Sequence, residues 1–109
     1  MVVDVEAANS WSIEITTNAA DLQGSVDYLR SVNVGSIGIY ALAVDWENIV
    51  GAPSPNTPQN APFSPLPNWR PGARNGADAF NWCTRTVTGG RVAYVQYPAN
   101  GFDANLACP

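Results

Sequence analysis

The chain opens on an apolar run, Val2–Val5, interrupted at Asp4 and closed by Glu6. Such a run predicts a short buried strand. Side chains two apart on a strand share a face, so the run sets the Asp4 and Glu6 carboxylates side by side at its C-terminal end. Residues 7–15, with Asn9, Ser10 and Trp11, predict a loop. Thr17-Asn18-Ala19-Ala20-Asp21 predicts a helix start, with a capping residue followed by an acid in the first turn. Leu22, Val26 and Leu29 then recur at i, i+4 and i+7, the stripe of an amphipathic helix. Gly24 weakens that helix by about 1 kcal/mol relative to alanine, and Asn33 and Gly35 are its stop signals.

Residues 36–41 predict a second strand, and Gly38 within it implies a close backbone approach. Strand, amphipathic helix and strand at this spacing form a parallel βαβ unit. Residues 44–50 predict a short helix with Trp46 and Ile49 on one face. Residues 52–72 form a Pro-rich loop: seven of the nine prolines lie between 53 and 71, and proline disfavours both helix and interior strand. Loops this long tend to be functional lids or disordered, but Phe63 and Trp69 argue for packing. Asn68-Trp69 fits a very short strand. A third helix is expected over 75–83, with Ala79, Phe80 and Trp82. Gly89-Gly90 marks a turn, 91–97 a Val- and Tyr-rich strand, 98–101 another turn, and 102–106 a last short strand. The order is that of an α/β fold in one domain, residues 1–109.

Composition narrows the chemistry. The formal charge is −4, and five arginines (30, 70, 74, 85, 91) are the only cationic side chains; there is no lysine and no histidine. Scattered arginines make no basic stripe, which argues against nucleic acid and against an anionic membrane surface. Without histidine there is no Ser-His-Asp or Cys-His dyad and no imidazole zinc site. No metal or cofactor is expected. Acid–base work falls to Asp, Glu, Tyr or Cys, the residue set that glycoside hydrolysis uses. Cys83 and Cys108 fit no metal spacing. They suit a disulfide tying down the C-terminal tail, worth roughly 3 kcal/mol and implying an oxidising compartment; two free thiols are the alternative. No run reaches the ~18 apolar residues of a membrane span, and the N-terminus does not resemble a signal peptide.

The candidate chemistry lies at the two ends of the sequence. Like-charge repulsion between Asp4 and Glu6 raises the pKa of one, which is how a carboxyl stays protonated as an acid near neutrality. The plain alternative is a strand end with two hydrated acids. Asp103, in Gly-Phe-Asp-Ala-Asn, is either a site acid or a turn residue. Tyr40, Gln96 and Tyr97 sit at strand ends, as site donors or core residues. Trp11 follows the acidic strand, where a loop would line a site. Of the four tryptophans, one or two are expected in a cleft and the rest in the core.

Taken in order, these pieces resemble the C-terminal two-thirds of a Chalaropsis-type lysozyme, glycoside hydrolase family 25. The motifs that carry the resemblance are Asp4-Val-Glu6, Ile39-Tyr40 with Trp46, Trp69, Gln96-Tyr97 and Asp103-Ala-Asn105. Residues 20–51 and 89–108 are similar to actinobacterial secreted glycoside-hydrolase-like proteins. The resemblance implies a partial (β/α) TIM-type barrel, truncated, with about five mostly parallel strands and two or three helices. It implies Glu6 as general acid and Asp4 as the group that orients an intermediate formed by the substrate's own N-acetyl group. Asp103, Tyr40, Trp11, Gln96 and Tyr97 would bind substrate, a peptidoglycan or another N-acetylated polysaccharide, outside the cell. The family's earlier strands, one bearing a further site Asp, would precede residue 1. Three readings follow: a glycan hydrolase, active when the full barrel is present; a non-catalytic cell-wall glycan-binding module; or a half-barrel that associates with a copy of itself or with an N-terminal half-barrel.

Overall fold

A computed structural model describes all residues 1–109. The strands are β1 (Val2–Val5), β2 (Gly38–Ala41), β3 (Asn68–Pro71), β4 (Val92–Ala99) and β5 (Phe102–Ala107). The helices are α1 (Ile15–Ser31), α2 (Ala43–Val50) and α3 (Gly76–Asn81), with single 3₁₀ turns at Pro58–Asn60 and Trp82–Thr84. The strands form one sheet in the order β1-β2-β3-β4-β5. The first four run parallel, and β5 returns antiparallel to β4. The hairpin turns on Asn100 and Gly101, both at positive φ (50° and 82°), the signature of the tight primed turn that matches strand twist. The mostly parallel α/β sheet is as expected. The sheet is not closed: β1 and β5 are its open edges, so it shows no barrel, and the antiparallel β5 ends the parallel winding.

One face of the sheet is covered. Val5, Ile39 and Ala41 pack beneath Leu22 and Val26 of α1 and Trp46, Ile49 and Val50 of α2, with Phe63, Leu66 and Val87 from the loops closing the cluster. A smaller cluster of Ala73, Ala79, Val92 and Val95 lies under α3. Parity along β4 is kept by an irregularity in its pairing with β3: Asn68 faces Val92, yet Trp69 faces Tyr94. Ala93 is the extra residue. Without such a bulge, Val92 and Val95 could not both point into the core.

The start of α1 differs from expectation. The helix begins at Ile15, and Glu14 occupies the cap position with no side-chain cap bond. Asn18 lies inside the helix and is buried. Its amide accepts from Ser12 N and donates to Ser12 O and Ile49 O, tying the preceding loop and the end of α2 to the helix. Asn33, by contrast, takes the left-handed conformation (φ 60°) just past the helix end, as its stop role requires.

The Pro-rich loop is ordered, and buried asparagines are the reason. Phe63 packs edge-on to Trp46 with centroids 5.2 Å apart. Trp46 Nε1 donates to Asn60 Oδ1 at 2.7 Å, and Asn60 Nδ2 donates to Ser54 O and Pro55 O. Prolines have left this segment short of backbone partners, and a side-chain amide supplies them. Asn68 does the same for residues 86–88: its Oδ1 accepts from Thr86 Oγ1, Val87 N and Thr88 N, and its Nδ2 donates to Thr88 Oγ1. Cys83 and Cys108 form a disulfide across 25 residues, with Cα atoms 5.6 Å apart, anchoring the end of β5 to the turn after α3.

Replacing Asn68 with alanine leaves buried amide groups at 87 and 88 without an acceptor. At about 1–3 kcal/mol per unsatisfied buried group, Asn68→Ala lowers the urea midpoint far more than Asn56→Ala, which alters an exposed position. Equal midpoints for the two variants would contradict the role given to Asn68.

Candidate functional site

The second face of the sheet has no helix over it. Alternation along the strands puts Val2 and Asp4 of β1, Tyr40 of β2, Trp69 of β3, and Tyr94 and Gln96 of β4 on this face. The register of β5 adds Asn105 opposite Gln96 and Asp103 opposite Pro98. Glu6, the first residue past β1, continues the same side. The result is a shallow trough running along the strands.

At the C-terminal end of the strands a cavity of about 300 Å³ is lined by Val2, Asp4, Glu6, Tyr40, Trp69 and Gln96. Tyr40 Oη donates to Gln96 Oε1 at 2.6 Å. Trp69 Nε1 donates to Asn105 Oδ1 at 2.8 Å, which fixes its ring edge-on to Tyr40, centroids 6.3 Å apart. Each aromatic side chain is therefore held by a polar partner two strands away.

The acids are electrostatically coupled. The Asp4 carboxylate raises the pKa of Glu6 above its ordinary value of 4.5; partial burial, the charge of Asp45 and a side-chain hydrogen bond to Asp4 add to it. Tyr40 is raised above 10.0 by burial and by the charges of Glu6, Asp4 and Asp103. The phenol thus stays protonated and remains a donor. A carboxyl whose charged form is repelled by a neighbouring carboxylate keeps its proton to higher pH than a free one, the direction a proton donor requires.

Four of the residues singled out in the sequence, Asp4, Glu6, Tyr40 and Gln96, line one cavity. Asp103 faces the same trough from the far edge of the sheet; its charge reaches Tyr40, but it does not line the cavity. Trp11 stands outside. Its Nε1 donates to Glu6 O at 2.8 Å and its ring packs on the main core, so it steadies the Glu6 backbone. Tyr97 faces the covered side, against Gly76 and the smaller core cluster. Gln96 and Tyr97 are adjacent on a strand, so only one of them reaches the trough.

Two participants were not singled out from sequence. Asp45, in the first turn of α2, accepts from Ala7 N at 3.4 Å and adds its charge at Glu6. Its position after β2 is the signal: a helix following a parallel strand starts at the same sheet end as the acids. Asn105, named only as part of the Asp103-Ala-Asn105 motif and given no role there, orients Trp69. No trio of Asp, Glu, Cys or His side chains is grouped to hold a metal ion.

No family model matches this chain, and neither a curated protein nor a solved structure is significantly similar to it.

A raised carboxyl pKa has a defined sign in stability. Glu6 favours its protonated form in the folded chain, so folding is most favoured below the unfolded carboxyl value and loses that advantage as pH rises through the folded value. Asp4→Asn is therefore expected to bring the Glu6 side-chain ¹³C titration midpoint down toward 4.5 and to raise stability at neutral pH, with no gain in strong acid. A midpoint unmoved by Asp4→Asn would show the two carboxyls to be independent.

Proposed function

We propose that the chain is a glycan hydrolase-like domain whose acidic cavity receives an N-acetylated sugar, peptidoglycan or a related polysaccharide. One observation carries this reading: coupled carboxyls, one with a raised pKa, stand in a cavity walled by an aromatic ring and a tyrosine hydroxyl. Glu6 is the group placed to give its proton to the glycosidic oxygen as the bond to the anomeric carbon breaks. The substrate's acetamido oxygen closes on that carbon, with Asp4 orienting the amide and balancing its developing positive charge. Water then opens the ring, and its proton returns to Glu6. Tyr40, held by Gln96, and Trp69 position the sugar, the latter through its apolar face. The resemblance to family 25 lysozymes supports the same roles. The disulfide is compatible with an extracellular setting, and secretion belongs to this proposal.

A non-catalytic glycan-binding module uses the same trough without turnover. The rings of Tyr40, Trp69 and Tyr94, in contact across three strands, favour it. Association with a second copy or with an N-terminal half-barrel is favoured by the uncovered sheet face and by the open β1 edge.

Peptidoglycan turnover by this sequence within its full-length protein separates these readings. Glu6→Gln is expected to cut turnover by at least about 100-fold, the usual scale of a lost general acid, while chitotriose binding persists. Turnover unchanged in Glu6→Gln contradicts the hydrolase. Absent turnover, with chitotriose binding lost in Trp69→Ala and kept in Glu6→Gln, supports the binding module, and a mass above the monomer at micromolar concentration supports assembly.

A further inference from the structure

The trough does not stop at the acids. Toward the N-terminal ends of the strands it opens into a second cavity of about 290 Å³, which shares Val2 and Trp69 with the first. Gly38 leaves its floor bare: a Cβ there would come within 3.2 Å of Pro67 O. The rings of Trp69 and Tyr94 stand against each other, centroids 5.3 Å apart and tilted by 43°, and Tyr94 is 45% exposed. At the rim lies Arg91, whose backbone is pinned because its carbonyl accepts from Asn68 N at 2.7 Å.

Arg91 differs from the other four cationic side chains. Arg74 pairs with Asp78. Arg70 and Arg85 stack on Trp82, at 4.7 and 4.9 Å from its ring centroid. Arg30 sits in the last turn of α1, where the helix dipole favours a cation. Arg91 forms no ion pair, stacks on no ring and ends no helix. In a chain of net charge −4, it is a free guanidinium at the mouth of a ring-sized, aromatic-walled cavity. The trough is polar along its length, with carboxylates at one end and a cation at the other.

We propose that this second cavity is a subsite for a sugar ring bearing a carboxylate. Arg91 pairs with the carboxylate and the Trp69–Tyr94 wall takes the apolar face of the ring. The subsite rests on the glycan reading of the acidic end and gives it direction: an N-acetylated residue lies at Asp4 and Glu6, and an acidic residue lies toward Arg91. Guanidinium–carboxylate pairing supplies the selectivity, and ring–aromatic contact supplies most of the contact area.

The test is an NMR titration of the intact chain with methyl glucuronide, methyl glucoside and chitotriose in parallel. Methyl glucuronide is expected to shift the Tyr94 amide and the Trp69 indole N–H and to bind more tightly than methyl glucoside. Its affinity falls roughly three- to fivefold in Arg91→Gln, the scale of an exposed ion pair, and falls with added salt. Arg30→Gln, which removes the same charge elsewhere, leaves it unchanged. Equal binding of glucuronide and glucoside overturns the subsite, as does an affinity indifferent to Arg91→Gln or a glucuronide response centred on Asp4 and Glu6. Chitotriose shifting the acidic end while glucuronide shifts nothing also overturns the subsite and leaves the glycan reading in place. Glucuronide binding through Arg91 with no response to chitotriose supports the subsite and counts against the hydrolase.

Discussion

Side chains on a strand alternate with period two, and this constraint sets everything else in the molecule. It sends Val3 and Val5 under the helices and Val2, Asp4 and Glu6 to the bare side. The same parity runs through β2, β3 and β4, so the core and the trough are opposite faces of one sheet. A slip of one residue in β1 would bury Asp4 and expose Val5. The bulge at Ala93 shows how closely parity is kept: one residue is left out of register so that Val92, Val95, Tyr94 and Gln96 each keep the correct side.

Polar groups tie the strands of the trough to one another. Gln96 Oε1 accepts a hydrogen bond from the Tyr40 hydroxyl, and Asn105 Oδ1 accepts one from the Trp69 indole N–H, so strands two apart are linked over the open face. From behind, the Pro-rich loop clamps Trp46 through Phe63 and Asn60. The bonds to Gln96 and Asn105 hold Tyr40 and Trp69 in place without a helix above them. The arrangement also leaves a cost in place. Asp4 and Asp45 both disfavour the charged form of Glu6, and the fold tolerates that cost.

Much of this was legible from sequence. Leu22, Val26 and Leu29 gave the first helix, Asn33 its end, Gly38 a close backbone approach, and the Val-Tyr alternation of β4 a strand. Asp4 and Glu6 could be placed on one face because strand geometry is local. What was not legible depended on distant partners. Asn18 has the composition of a cap, but its bonds go to Ser12 and Ile49, and only the tertiary structure supplies those. Tyr97 reads as well as Gln96 for a site; alternation permits one, and the bulge decides which face each takes. Asp45 and Asn105 act through neighbours contributed by other strands. A partial TIM-type barrel was an expectation from resemblance; the structure shows the mostly parallel five-strand α/β sheet, open and with an antiparallel last member, and no barrel.

The central claim is that Asp4 and Glu6 act on Tyr40 across a shared, uncovered face. The most direct measurement follows the Tyr40 ring ¹H resonances through the acidic pH range. They are expected to show a step at the midpoint of Glu6, above 4.5, and to lose that step in Glu6→Gln, with only the smaller influence of Asp4 and Asp103 left. A Tyr40 signal indifferent to carboxyl ionisation would mean that the acids point elsewhere, and the site would not exist.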